Sequence, residues 1–302
     1  MTTLRLGLVH TPVMPFGRDH RIDFDLFGRL IDFHLRHGAE ALALPMHAAE
    51  SVSLPEAEKH AVVEFAVKHA SVPVVAHVSE AGSALAAALA RHAEAAGAAA
   101  VVATTPYYWT PPAAMVLEHF ALIGGAVKIP FFVHNAPDDM AGTRVTAELM
   151  VKLIGRLQNF AGLVDQSLDW QFLIELMMLA RKARPDFQLL AGTELLVSAA
   201  AIGATGMFAP LAAIAPNLIR GLYDSCGAGD LFEARAAQEQ VAALRQAMKP
   251  GGAPQLKAAL QIMGRDCGDP RPPLLPFDVA ATSALSVSLR AIPPLSDEPR
   301  GW

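Results

Sequence analysis

The sequence is poor in the features that mark several large functional classes. It holds two cysteines, Cys226 and Cys267, far apart in the last quarter of the chain. That spacing is unlike a CxxC pair for zinc or thiol exchange, so they read as two reduced structural thiols. Lysine and arginine are scattered singly in a chain of net charge −5, which provides no basic stripe for following a phosphate backbone. Nucleic acid is therefore not expected as a partner. No apolar run approaches the ~18 residues of a membrane-spanning helix, so no membrane partner is expected. The first residues, Met1-Thr2-Thr3-Leu4-Arg5-Leu6, enter an apolar stretch without a charged leader and cleavage site. A cytoplasmic protein is the expectation. Gly124-Gly125 and Gly203/Gly206 lack the strand-turn-helix setting of a nucleotide loop, and no cofactor is expected.

The sequence is rich in short apolar runs, and 53% of its 302 residues are hydrophobic, enough for one large core. Arg5–Val9, Ala41–Leu44, Val72–Val78, Ala98–Thr104, Ile129–Val133, Phe160–Val164, Phe187–Ala191 and Gly206–Ala209 read as eight strands. Continuous rather than alternating apolarity points to strands covered on both faces, as in a parallel sheet. Between them, stretches such as Phe24–His37, Glu56–His69, Ser83–Ala96 and Thr146–Arg156 carry apolar residues three and four apart, the helical period. Ala84–Ala96 and Met177-Met178 read as core-facing helix positions. Eight βα beats predict an α/β fold, a (β/α)8 TIM barrel. After Pro210 the pattern turns helical, over Pro216–Ser225, Leu231–Met248, Ala253–Met263 and a stretch ending near Arg290. The division expected is a barrel over residues 1–226 and a C-terminal helical extension over 227–302, with Gly268–Pro276 a rigid connector and Ile292–Pro299 a loose tail.

Chemistry in such barrels sits where strands run into their following loops. The residues to weigh there are His10, Met46 to Glu50, His77, Pro106 to Trp109, His134 to Asp139, Asp165 to Gln166, and Thr193 to Glu194. Four segments in barrel order are distinctive: Thr11-Pro12-Val13-Met14-Pro15-Phe16, Glu50-Ser51-Val52-Ser53-Leu54 with Glu58, Pro106-Tyr107-Tyr108, and His134-Asn135-Ala136-Pro137. Their order and spacing, over nearly the whole chain, resemble the dihydrodipicolinate synthase and N-acetylneuraminate lyase family.

That resemblance implies a tetrameric barrel enzyme that binds pyruvate or a related 2-oxo acid as a Schiff base on a lysine ending the sixth strand. It also implies a proton-relaying tyrosine after the fifth strand and a Gly-Thr-Thr-Gly-Glu loop after the second that holds the carboxylate. This chain departs at each point. Where the family reads about Gly-Ile-Lys-Glu, it has Gly162-Leu163-Val164-Asp165, and a valine cannot form an imine. The lysines present are Lys59, Lys68, Lys128, Lys152, Lys182, Lys249 and Lys257, and none is an obvious substitute. His134 replaces the relay tyrosine, a replacement able to transfer protons near neutral pH. The carboxylate loop becomes Met46-His47-Ala48-Ala49-Glu50, and Asp139 falls where the family has an arginine, although Arg144 could reach inward. Tyr108 takes the position of the residue that in the family crosses into a neighbouring subunit's site.

His10, His47, His77 and His134 would all meet at one barrel face beside Glu50, Asp165 and Glu194, which raises a divalent-metal site as one reading. Strand-end histidines that bond loop backbone, or act only as acids and bases, are the competing one, and no metal ligand is assigned. Asp165 reads either as an acid-base group or as an acceptor for loop N–H groups, and Glu50 as a cap for the helix near Glu56–His69. The expectation is a lyase or aldolase-type enzyme acting on a small 2-oxo or hydroxy acid without a lysine Schiff base. Its catalytic residues would be His134, Tyr108 and Asp165, and its pocket would be lined by His47, Ala48, Tyr107, Val164, Glu194 and Phe208. The alternatives are a non-catalytic small-molecule-binding pseudoenzyme and a metal-dependent barrel enzyme. A homo-oligomer, dimer or tetramer, is expected in each case.

Overall fold

A computed structural model describes residues 4–249 and 251–302. Eight parallel strands close into a barrel: β1 (Leu8–His10), β2 (Ala41–Leu44), β3 (Val74–His77), β4 (Ala100–Thr104), β5 (Phe131–Asn135), β6 (Phe160–Asp165), β7 (Gln188–Ala191) and β8 (Gly206–Ala209). Closure is made by β1 on β8, with Val9 opposite Phe208. The surrounding helices are α1 (Phe24–Arg36), α2 (Glu56–His69), α3 (Ser83–Ala96), α4 (Ala113–Gly125), α5 (Ala147–Arg156), α6 (Trp170–Ala183), α7 (Leu196–Ile202) and α8 (Pro216–Ala228). Three more, α9 (Leu231–Ala247), α10 (Ala253–Ile262) and α11 (Val279–Arg290), form the helical extension. Among the described residues no helix is long and apolar enough to cross a membrane.

Five of the strands, β1, β3, β4, β5 and β7, start later than their apolar runs do. Pro73 and Pro130 precede β3 and β5 and cannot donate to a ladder. Ahead of β1, Leu6 N–H donates to the Gln188 side chain at 2.9 Å, and the first residue of the strand, Leu8, donates to the Glu40 carboxylate at 3.2 Å. Five of the eleven helices start where a side chain satisfies their free N–H groups. Asp23, Thr146, Asp169, Asp230 and Asp278 accept from the first turns of α1, α5, α6, α9 and α11.

Alternation along the strands divides the apolar residues into two layers. Val9, Ala41, Ala43, Val75, Ala100, Val102, Phe132, Val164, Leu190 and Phe208 pack together inside the barrel, while Phe131, Val133, Leu163 and Leu189 pack outward against helices. Gly162 makes room for this filling, because a Cβ there would lie 2.9 Å from the Phe132 ring and 2.4 Å from Gln188 O. Of the Met177-Met178 pair only Met177 is buried; Met178 is exposed, since consecutive helical residues point about 100° apart.

The extension is welded to the barrel. Residues 226 and 227, the expected boundary, fall in the last turn of α8, and one apolar cluster runs from Leu8 and Met207 through Ile219 to Leu244, Leu260 and Leu289. The tail expected to be loose is held. Arg265, fully buried, donates to Ala213 O, Ile214 O, Pro299 O and Gly301 O, and its guanidinium lies 4.2 Å from the Phe33 ring centroid. Glu298 accepts from the N–H groups of Asn217 and Leu218 at the start of α8. A buried guanidinium needs acceptors for its donors, and the tail carbonyls supply them.

Candidate active site at the barrel mouth

Three imidazoles gather at the ends of β2, β3 and β5. The His47 ring centroid is 5.8 Å from that of His77 and 6.2 Å from that of His134, and His134 is 6.5 Å from Phe208. Val164 lies beside His134 in the β5–β6 register and is fully buried. Ala48 sits next to His47 on the short 3-10 turn that follows β2. Thus His134, His47, Val164 and Phe208 come together, with His77 beside them.

The environment keeps these rings uncharged. Burial, with His47 adjacent, pushes the His134 pKa down to about 3, and burial also takes His77 well below its usual value. His47 is lowered by burial as well, opposed by the Asp139 carboxylate 3.9 Å from its Nδ1. His77 is tied down by Ser79, whose hydroxyl lies 2.7 Å from its Nε2 and accepts from Thr104 N–H. His134 Nε2 is 3.2 Å from Gln166 Oε1, and Gln166 Nε2 donates to Asp139 Oδ2 at 3.1 Å.

Other expected site residues face elsewhere. His10 points outward onto α1, with its Nδ1 3.0 Å from that of His34 and both rings buried, so the four-histidine set does not assemble. The reason is strand alternation: Val9, not His10, faces the barrel interior. Among the described residues no three His, Cys, Asp or Glu side chains are placed to hold a metal. Asp165 likewise faces away from the interior, one position past Val164. Its carboxylate accepts from Asn135 Nδ2 at 2.6 Å and from the backbone N–H and hydroxyl of Ser167. Burial raises its pKa while these bonds lower it, and burial prevails. It is built as an acceptor that joins the β5 and β6 loops.

Glu194, buried, accepts from Leu211 N–H at 2.8 Å and pairs with Arg245 of α9 at 2.7 Å. Glu50 does not cap α2. It pairs with Lys257 at 2.9 Å and accepts from Arg271 N–H at 2.8 Å, because α10 and the segment after it return to the β2 loop. Tyr107 donates to Glu80, which also pairs with Lys59; burial beside that carboxylate raises the phenol to about 12. Tyr108, at φ 88°, is 95% exposed, and its hydroxyl makes no hydrogen bond among the described residues. Arg144 lines an outer cavity of about 410 Å3 with Asn135, Ser167 and Asp169, so no arginine is turned into the mouth from that loop.

Sequence reasoning counted Gln166 and Asp139 among the strand-end residues but gave Gln166 no role and did not pair the two. The signal was available: a carboxamide directly after a strand end, facing the end of the neighbouring strand. Lys59 was also undervalued. Its helical position hid the fact that α2 carries it, buried, to Glu80 beside the third strand's end.

A closed eightfold parallel barrel whose strand ends gather buried histidines over an apolar floor is of the TIM-barrel class. A family model described as the dihydrodipicolinate synthetase family matches residues 5–292, and the chain belongs to that family of lyases. It is 31% identical over 290 residues to an uncharacterised DapA-like lyase of Halobacterium salinarum, covering 94% of this chain and 92% of that one. It is 28% identical over 288 residues to the 4-hydroxy-tetrahydrodipicolinate synthase of Methanococcoides burtonii, covering 95% and 98%. Among solved structures, dihydrodipicolinate synthase DapA-2 of Bacillus anthracis superposes with TM-score 0.89 at 25% identity, over 96% of this chain and all of that one.

Proposed function

We propose that this protein is a lyase acting on a small 2-oxo or hydroxy acid without a lysine Schiff base. The observation that carries the reading is the pairing of Val164 with His134 at the mouth. The side chain at the sixth strand's end is apolar and cannot form an imine, while the neighbouring strand supplies a buried imidazole. His134 is the proton-transferring residue, and His47, Ala48, Val164 and Phe208 line the pocket. Asp165 acts by positioning the loops that carry His134 and Gln166. The exposure of Tyr108 on its strained turn supports a role in a second copy's site, with the protein working as a homo-oligomer. A pseudoenzyme that only binds such acids is the second reading, favoured by the uncharged, apolar floor.

Borohydride trapping with pyruvate, followed by intact-mass measurement and peptide mapping, tests the reading. No adduct is expected, with a lysine-bearing relative trapped in parallel as the positive control. A stoichiometric adduct would overturn the imine-free mechanism, and mapping it to Lys59 would name the amine. Screening 2-oxo and 2-hydroxy acids for turnover separates enzyme from binder, and His134→Ala is expected to abolish whatever turnover is found.

A further inference from the structure

The contacts around His134 fix more than its position. The Asp139 carboxylate accepts, and the Gln166 group facing it at 3.1 Å is the amide nitrogen. That leaves Gln166 Oε1, also an acceptor only, opposite His134 Nε2 at 3.2 Å. The hydrogen between them must therefore sit on Nε2. Gln166 is itself anchored, because its backbone N–H donates to Asn135 O at 2.8 Å, one residue beyond His134. In a neutral imidazole with hydrogen on Nε2, Nδ1 carries a bare lone pair. That atom is closed to solvent and has no hydrogen-bond partner among the described residues. A buried acceptor without a partner is uncommon in folded proteins and asks for a donor from outside.

We propose that Gln166, oriented by Asp139, is a positioning residue that locks His134 with its hydrogen on Nε2, and that the ligand meets Nδ1 with a hydroxyl. Resting on the lyase reading above, this narrows the substrate class from 2-oxo or hydroxy acids to hydroxy acids. A carbonyl or carboxylate oxygen facing Nδ1 would set lone pair against lone pair, whereas a hydroxyl donates. No lysine or arginine makes an ion pair or hydrogen bond with His134, Gln166 or Val164 among the described contacts, so the hydrogen-bond polarity of His134 is the feature here that discriminates between ligands.

The test is nitrogen-15 NMR of histidine-labelled protein, with the His134 signals assigned by their loss in His134→Ala. The expected spectrum has a protonated Nε2 and a bare Nδ1, and in Gln166→Leu the opposite tautomer becomes populated. Gln166→Glu keeps an acceptor for Nε2, so it is expected to retain the wild-type tautomer and to raise the His134 pKa. A wild-type ring protonated on Nδ1, or a Gln166→Leu spectrum identical to wild type, would overturn the positioning role. Lactate and pyruvate carry the same charge and differ at one oxygen, so titrating each while following Nδ1 tests the ligand assignment. Lactate is expected to bind about tenfold more tightly, the size of one hydrogen bond, and to shift Nδ1. Equal affinities, or tighter pyruvate, would overturn the hydroxyl assignment. The tautomer is read without turnover, so failure of the lyase reading and failure of this inference are distinguishable.

Discussion

At the scale of single residues, histidine does two different jobs in this barrel. His134, His47 and His77 face one another at the mouth, while His10 and His34 form a sealed pair between β1 and α1. The pair has a pH consequence. Burial, with Arg220 and His37 contributing, lowers His10 from 6.5 to about 3, and burial beside His10 takes His34 well below its usual value. The unfolded chain takes up these protons first, so stability is fully present above about pH 6.5 and is lost as pH falls toward about 3. Urea unfolding followed at about pH 7 and about pH 5 is expected to show a lower midpoint at the acid value. His10→Leu is expected to reduce that dependence without removing it, since the mouth histidines are shifted the same way.

At the scale of elements, the join between the β2 loop and the extension is built from buried charge. Glu50, in a left-handed conformation at φ 55°, receives Lys257 of α10 and the Arg271 backbone. Arg271 also pairs with Glu58 of α2, and both cations lie over the Phe16 ring, Lys257 at 4.2 Å and Arg271 at 4.3 Å. The Lys257 and Glu50 side chains are 3% and 0% exposed, so removing one partner strands the other away from water. Glu50→Gln is therefore expected to destabilise the protein by about 3–5 kcal/mol in denaturant unfolding. Lys257→Met combined with Glu50→Gln is expected to recover part of that loss, because no ammonium is then left buried. This join also brings α10 against the turn that carries His47, so the same double variant should leave the mouth intact only if that turn keeps its place.

At the scale of the whole molecule, the barrel supplies a mouth while Tyr108 stands 95% exposed in the loop after β4. An exposed aromatic on a residue held at positive φ costs free energy that a lone subunit does not recover. Light scattering coupled to size exclusion is expected to give a dimer or tetramer whose mass holds on dilution. A stable monomer would remove Tyr108 from the proposed site.

Much of the architecture was legible because a buried parallel barrel imposes its pattern locally. Each strand must be apolar on both faces and each helix amphipathic, so the eight beats and the helical extension stand in the sequence itself. The strand ends were legible for the same reason, and with them His134, Val164 and Phe208. Which way a side chain turns at a strand end was not, because alternation reverses with a shift of one residue. Tertiary structure alone sent His10 to His34, Asp165 to Asn135 and Ser167, and Glu194 to Arg245. It also set Gln166 between Asp139 and His134, and Glu50 against Lys257 across most of the chain's length. Periodicity is a property of neighbours along the chain, whereas a hydrogen bond or ion pair belongs to whichever groups the closed barrel brings within reach.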